Sequence, residues 1–121
     1  STATNNLIQG NSIGTNVAGT AAIANGGGGI LISNLSYSNT IGGTATGAGN
    51  LISGNTGIGV SLYDSHSNSL FGNYIGVDTT GSVALANTSY GVAVVGGPGV
   101  VGHDSPPGER TAATTASTMS W

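Results

Sequence analysis

Short apolar bursts recur along the chain as far as Val101: Leu7-Ile8, Ile13, Ile30-Leu31-Ile32, Ile41, Leu51-Ile52, Val60-Ser61-Leu62, Leu70-Phe71, Ile75, Val92-Ala93-Val94-Val95 and Val100-Val101. Gly, Asn and Ser separate them. No window sustains the i, i+3, i+4, i+7 apolar spacing of an amphipathic helix. Brief β-branched runs bounded by turn residues read as short strands.

The spacing shows how these strands wind. Ile30-Ile32, Val60-Leu62 and Val92-Val94 form one class, and two further bursts lie in each interval between them: Ile41 and Leu51-Ile52, then Leu70-Phe71 and Ile75. Three strands per circuit predict a triangular coil. Extra loops interrupt successive circuits at different places, Thr44 to Gly49 in one and Thr79 to Asn87 in the next. Without them each circuit shrinks to about 22–24 residues, and loops of this kind fall outside the stack at little cost to the core.

The chain also repeats itself over a longer period. Gly10-Asn11-Ser12-Ile13-Gly14 returns 62 positions later as Gly72-Asn73-Tyr74-Ile75-Gly76, and the register holds through Val92 and Val94. A fixed internal period marks a solenoid, in which each repeat buries its apolar face on its neighbours. Gly-Asn pairs punctuate the strands, so Asn11, Asn55 and Asn73 are expected at structural corners. Asn tolerates left-handed backbone angles and bonds nearby backbone groups. Stacked at one corner of successive coils, such side chains can pair in a ladder.

The phrases "NLIQGNSIGTNVAGTAAIANGGGGILI", "SNTIGGTATGAGNLISGNTGIGVSL" and "NSLFGNYIGVDTTGSVALANTSYGVAV" resemble the right-handed parallel β-helix repeats of large bacterial secreted and cell-surface proteins. The likeness covers roughly residues 5 to 102. It implies an all-β, right-handed parallel β-helix of about three to four coils with loop insertions. It says little about activity, because one fold hosts many functions. It implies an extracellular or cell-surface location.

Composition narrows the field. Charged residues make up 4% of the chain and the formal net charge is -3, far below the charge content of ordinary domains. With Arg110 as the single basic residue, no patch can neutralise phosphates, so nucleic acid is not an expected partner. No apolar stretch approaches the ~20 residues of a membrane span.

Candidate chemistry is sparse. Asp64 and Asp78 are the only carboxylates within the repeats. Tyr63-Asp64-Ser65-His66 is the densest polar cluster, and Asp64 with His66 faintly resembles the Asp/His motif of alginate epimerases of this fold. The plainer reading is a solvated corner. Tyr63, Asp64 and His66 are therefore candidates for glycan binding, with Tyr37, Tyr74 and Tyr90 as further rings that could stack on sugars. The loop from Ile75 to Gly81 loosely resembles a calcium loop. Its counterpart has Asn16 in place of Asp78, and calcium needs six to eight oxygens, so a tight Asx turn is the expected role. Asn34-Leu35-Ser36 and Asn87-Thr88-Ser89 fit the glycosylation pattern, which makes Asn34 and Asn87 candidate acceptors. No catalytic residue, metal ligand or cofactor is assigned, and the expectation leans away from an enzyme.

After Gly102 the pattern breaks. "HDSPPGERTAATTASTMSW" holds two of the three Pro and the only Met and Trp. The organisation expected is parallel β-helix repeats over 1–102 and an atypical tail or cap over 103–121. Each coil completes its backbone bonds only with the coils above and below, and open ends recruit other chains. The expected function is a structural extracellular module, stacking end to end into a fibre or forming part of a longer surface stalk. Self-association through the open ends is the expected partnership. A carbohydrate-binding or polysaccharide-processing β-helix is the alternative.

Overall fold

A computed structural model describes residues 1–96, 100–103 and 110–111, with side chains described over 1–96. The described residues hold eleven short strands and no helix. In chain order these are β1 (Leu7–Ile8), β2 (Ser12–Ile13), β3 (Ile30–Ile32), β4 (Thr40–Gly42), β5 (Leu51–Ile52), β6 (Val60–Tyr63), β7 (Asn68–Phe71), β8 (Tyr74–Ile75), β9 (Val92–Val95), β10 (Val100–His103) and β11 (Arg110–Thr111).

They build three parallel sheets, ordered β1-β4-β7-β10, β2-β5-β8-β11 and β3-β6-β9. Each strand pairs with the one three places later in the chain. This is the connectivity a β-solenoid requires. The strand classes expected from spacing hold in register: Ile30 pairs with Val60 and Val60 with Val92. Both loop insertions fall between strands, Thr44–Gly49 between β4 and β5 and Thr79–Asn87 between β8 and β9.

The core follows from this register. Side chains alternate across a strand, so one residue in two points inward and stacks on its equivalent. Ile8, Ile41 and Leu70 form one column. Ile13, Ile52 and Ile75 form a second. Ile30, Val60 and Val92, with Ile32, Leu62 and Val94, form the third and fourth. Together they make a single apolar cluster, closed in the middle circuits and half-open at Ile8, Ile13 and Ile30. Leu31 and Tyr63 take the outward positions and are exposed.

Asparagine orders the corners more extensively than the Gly-Asn pairs suggested. Three ladders run through the stack: Asn6–Asn39–Asn68, Asn11–Asn50–Asn73 and Asn25–Asn55–Asn87. At every rung the backbone N–H and the Nδ2 of one Asn both donate to the Oδ1 of the next. Asn11 and Asn73 thus share a corner. Asn55 stands in a different ladder, the third. A left-handed residue precedes each member of the first ladder, at Asn5, Ser38 and Ser67; it turns the chain into the next strand.

Steps along the ladders are unequal: 33 and 29 residues in the first, 39 and 23 in the second, 30 and 32 in the third. Each ladder nevertheless spans 62 positions over two circuits, which is the period visible in the sequence. Among the described residues the first ladder runs as far as Asn68. Val100 stands in register with Asn68. Among the described residues the buried Asn68 Nδ2 has no hydrogen-bond partner.

The atypical segment 103–121 lies outside the described residues except at three backbone positions. His103 ends β10, and Arg110–Thr111 pairs with Tyr74–Ile75. The sequence carries no aliphatic burst near Arg110. The backbone makes that pairing without one.

Candidate functional site

Tyr63, Asp64 and His66 leave the third sheet at the corner between β6 and β7. Tyr63 is the last, outward residue of β6 and is 52% exposed. Asp64 follows in the left-handed region at φ 46°, at the position that Asn34 occupies one circuit earlier with φ 57°. Ser65 turns inward and is buried, its hydroxyl without a partner among the described residues. His66 lies half-exposed and forms a bridge to Tyr37 of the preceding circuit.

That bridge stacks two rings. The Tyr37 and His66 centroids lie 4.9 Å apart with planes 6° from parallel. The Nδ1 of His66 sits 3.1 Å from the Ser67 hydroxyl. No hydrogen bond joins Asp64 to His66 among the described residues, so the cluster shows no oriented acid–base pair there. It offers an aromatic surface instead: Tyr37, half of His66, and the exposed Tyr63. Tyr90 is also exposed, but it lies in the segment leading to β9. Tyr74 lies on the second sheet, beside a cleft of about 360 Å³ lined with Gly47, Gly49, Leu51 and Thr79.

The corner before β4 has one residue more than the corner before β7. Leu35 is that residue; it is exposed and left-handed at φ 61°. A branched aliphatic side chain rarely adopts this conformation. Asn34, in the same corner, is exposed, whereas the Ser36 hydroxyl of its sequon is buried and accepts the Ala3 N–H. Asn87 is a different case. It is 3% exposed, its Oδ1 receives Asn55 and its Nδ2 donates to Ile52 O at 3.1 Å. The nitrogen that would carry a sugar is bonded to the Ile52 carbonyl and the Oδ1 to the third ladder, so in the folded chain Asn87 is a buried ladder residue and not an accessible acceptor.

Asp78 sits in a hairpin loop that repeats the Asn16 loop. Asn16 N donates to Ala21 O and Asp78 N to Val83 O, and the two loops meet where Thr79 N donates to Gly19 O. The Asp78 Oδ1 accepts the Thr80 hydroxyl at 2.6 Å and the backbone N–H groups of Thr80, Ser82 and Val83. The carboxylate is turned onto its own loop, as in an Asx turn. Among the described residues no group of three or more His, Asp or Glu converges on a point where a metal could sit.

Those donors hold the Asp78 carboxyl below the usual carboxylate range; the Thr80 hydroxyl contributes most, and burial opposes it. Linkage fixes the sign. The contribution is fully present above the unfolded value of about 4 and is lost as pH falls through the lower folded value. Asp78→Asn keeps the acceptor, as Asn16 does, but cannot be protonated. Thermal midpoints measured from pH 7 to pH 2 are expected to fall further for the native chain than for Asp78→Asn. Parallel curves would show that this loop does not set acid sensitivity.

No family model matches the chain, and neither a curated protein nor a solved structure does.

Proposed function

We propose that the chain is a structural module, a right-handed parallel β-helix that associates end to end or serves as a length of a longer extracellular stalk. One observation carries the reading: three asparagine ladders run through successive circuits with the same donor–acceptor direction at every rung. Circuits joined this way are interchangeable units, and a stack of such units has no intrinsic length. Charge is too sparse to oppose stacking, at 4% of residues; charged edges are a common defence against it. The extracellular placement rests on the likeness of the repeat phrases to those of secreted and surface proteins.

The stacked Tyr37–His66 pair beside Tyr63 favours one second reading, a carbohydrate-binding face. Flat rings presented outward suit the apolar faces of sugars. Asn34 is the accessible one of the two sequon asparagines.

One preparation tests both readings. Light scattering of the purified chain over about a hundredfold range of concentration is expected to show mass growing with concentration, as mass action requires. Electron microscopy is expected to show rods. A monomer throughout rejects end-to-end association. A glycan array probed with the same chain and with Tyr37→Ala and Tyr63→Ala decides the second reading, which fails if the native chain binds nothing.

A further inference from the structure

The two ends of the stack differ in chemistry. At the end formed by β1, β2 and β3, the first members of the ladders are Asn6, Asn11 and Asn25, all exposed. Each donates its N–H and Nδ2 inward to the next circuit. No described group donates to the Oδ1 of any of the three, so this face presents three carbonyl acceptors at its corners. Between them lie the half-buried Ile8, Ile13 and Ile30, the open ends of the core columns. A cleft of about 330 Å³ opens there, lined in part by Ile8, Ile30 and Ile32.

We infer that this face seats one kind of partner: a parallel β-coil with asparagine at each of its three ladder positions. The partner's asparagines lie next to its strands. In this chain the ladder residue directly precedes β1, β2, β4, β5 and β8, is the first residue of β7, and precedes β3, β6 and β9 by five positions. The direction is fixed by the rungs. An Asn bearing its backbone N–H and Nδ2 toward the face supplies two donors to one acceptor, as every internal rung does. A coil of the opposite polarity would set Oδ1 against Oδ1. An apolar surface without the three asparagines would cover Ile8, Ile13 and Ile30 but take the acceptors out of water unpaired, which is costly. The partner surface is therefore apolar in the middle with three paired N–H donors at its corners.

The inference rests on the structural reading above, and it is tested by supplying such a coil in cis. Residues 1–5 are replaced by a copy of residues 39–67 joined to Asn6. Asn6 stands in register with Asn39 and Asn68, so the copied Asn39, Asn50 and Asn55 precede Asn6, Asn11 and Asn25 by the native steps of 29, 23 and 32 residues. A second version carries alanine at the three copied asparagines. Hydrogen exchange of the copied segment is expected to be slower by roughly tenfold or more with asparagine than with alanine, since each lost rung removes paired bonds. Exchange at the rate of an unstructured peptide in the asparagine version overturns the inference. So does loss of protection across residues 39–96, because a coil seated in register adds bonds and removes none. The two readings fail separately. A docked copy in a chain whose parent is always monomeric leaves this inference and removes end-to-end association. Rods from the parent, with the copied coil unprotected, do the reverse.

Discussion

Asn55→Asp is expected to cost about 3–5 kcal/mol at neutral pH, the cost of breaking a buried polar network and leaving a charge inside it. Asn55 is fully buried at the centre of the third ladder. Its Oδ1 accepts the N–H and Nδ2 of Asn25. Its Nδ2 donates to Ile13 O at 3.1 Å and to Asn87 Oδ1 at 3.0 Å. Aspartate puts a second oxygen where that nitrogen was, facing acceptors it cannot satisfy. Burial and those facing oxygens raise the carboxyl's folded pKa. The penalty is then absent below the unfolded value of about 4 and grows as pH rises toward the folded value. Urea midpoints from pH 3 to pH 7, each taken against the native chain at the same pH, should show the deficit widening with pH. Asn55→Ala should lose about 2–4 kcal/mol with no such trend. An aspartate variant whose deficit is flat in pH would show that the ladder position is open to water.

Gly42→Ala is the second large effect, at about 3–5 kcal/mol, from left-handed strain plus a backbone collision. Gly42 ends β4 at φ +89°, and a Cβ there would run into the Phe71 carbonyl oxygen and sit 2.6 Å from Asn73 Oδ1. Asn73 cannot yield freely. It accepts from the Asn50 N–H and Nδ2 and donates to Ile41 O, so moving it opens the second ladder. Gly47 supplies the control. Its φ is +78° but nothing lies within 4 Å of a Cβ, so Gly47→Ala should cost only the conformational term, about 1–2 kcal/mol. Equal losses at the two sites, measured by denaturant unfolding, would show that the Gly42 contact relaxes.

The candidate site was partly legible. Tyr63, Asp64 and His66 stand out as the densest polar run, and they do share one corner. Which tyrosine would matter was not legible: Tyr37, Tyr63, Tyr74 and Tyr90 are equivalent as letters. Tyr37 is selected because its circuit lies directly over His66, with Leu35 absorbed as an extra residue in the corner between them. The offset of 29 that links Ser36-Tyr37-Ser38-Asn39 to Ser65-His66-Ser67-Asn68 was the available signal. Asn87 shows the opposite failure. Its sequon is genuine as a pattern, but the Nδ2 is taken by Ile52 O, and no local pattern reveals a partner 35 residues away.

What the sequence determined by itself is the winding. Apolar residues recur at the spacing of short strands, three to a circuit. Burial of aliphatic columns requires equivalents to sit one above another, so Ile30, Val60 and Val92 had to align. The tertiary structure alone decided which asparagines face each other. Ladder steps vary from 23 to 39 residues because loops of different length lie outside the stack, and only strand register brings the rungs together. Hydrogen bonds of this kind depend on position within a fraction of an ångström, whereas hydrophobic burial asks only for the right face.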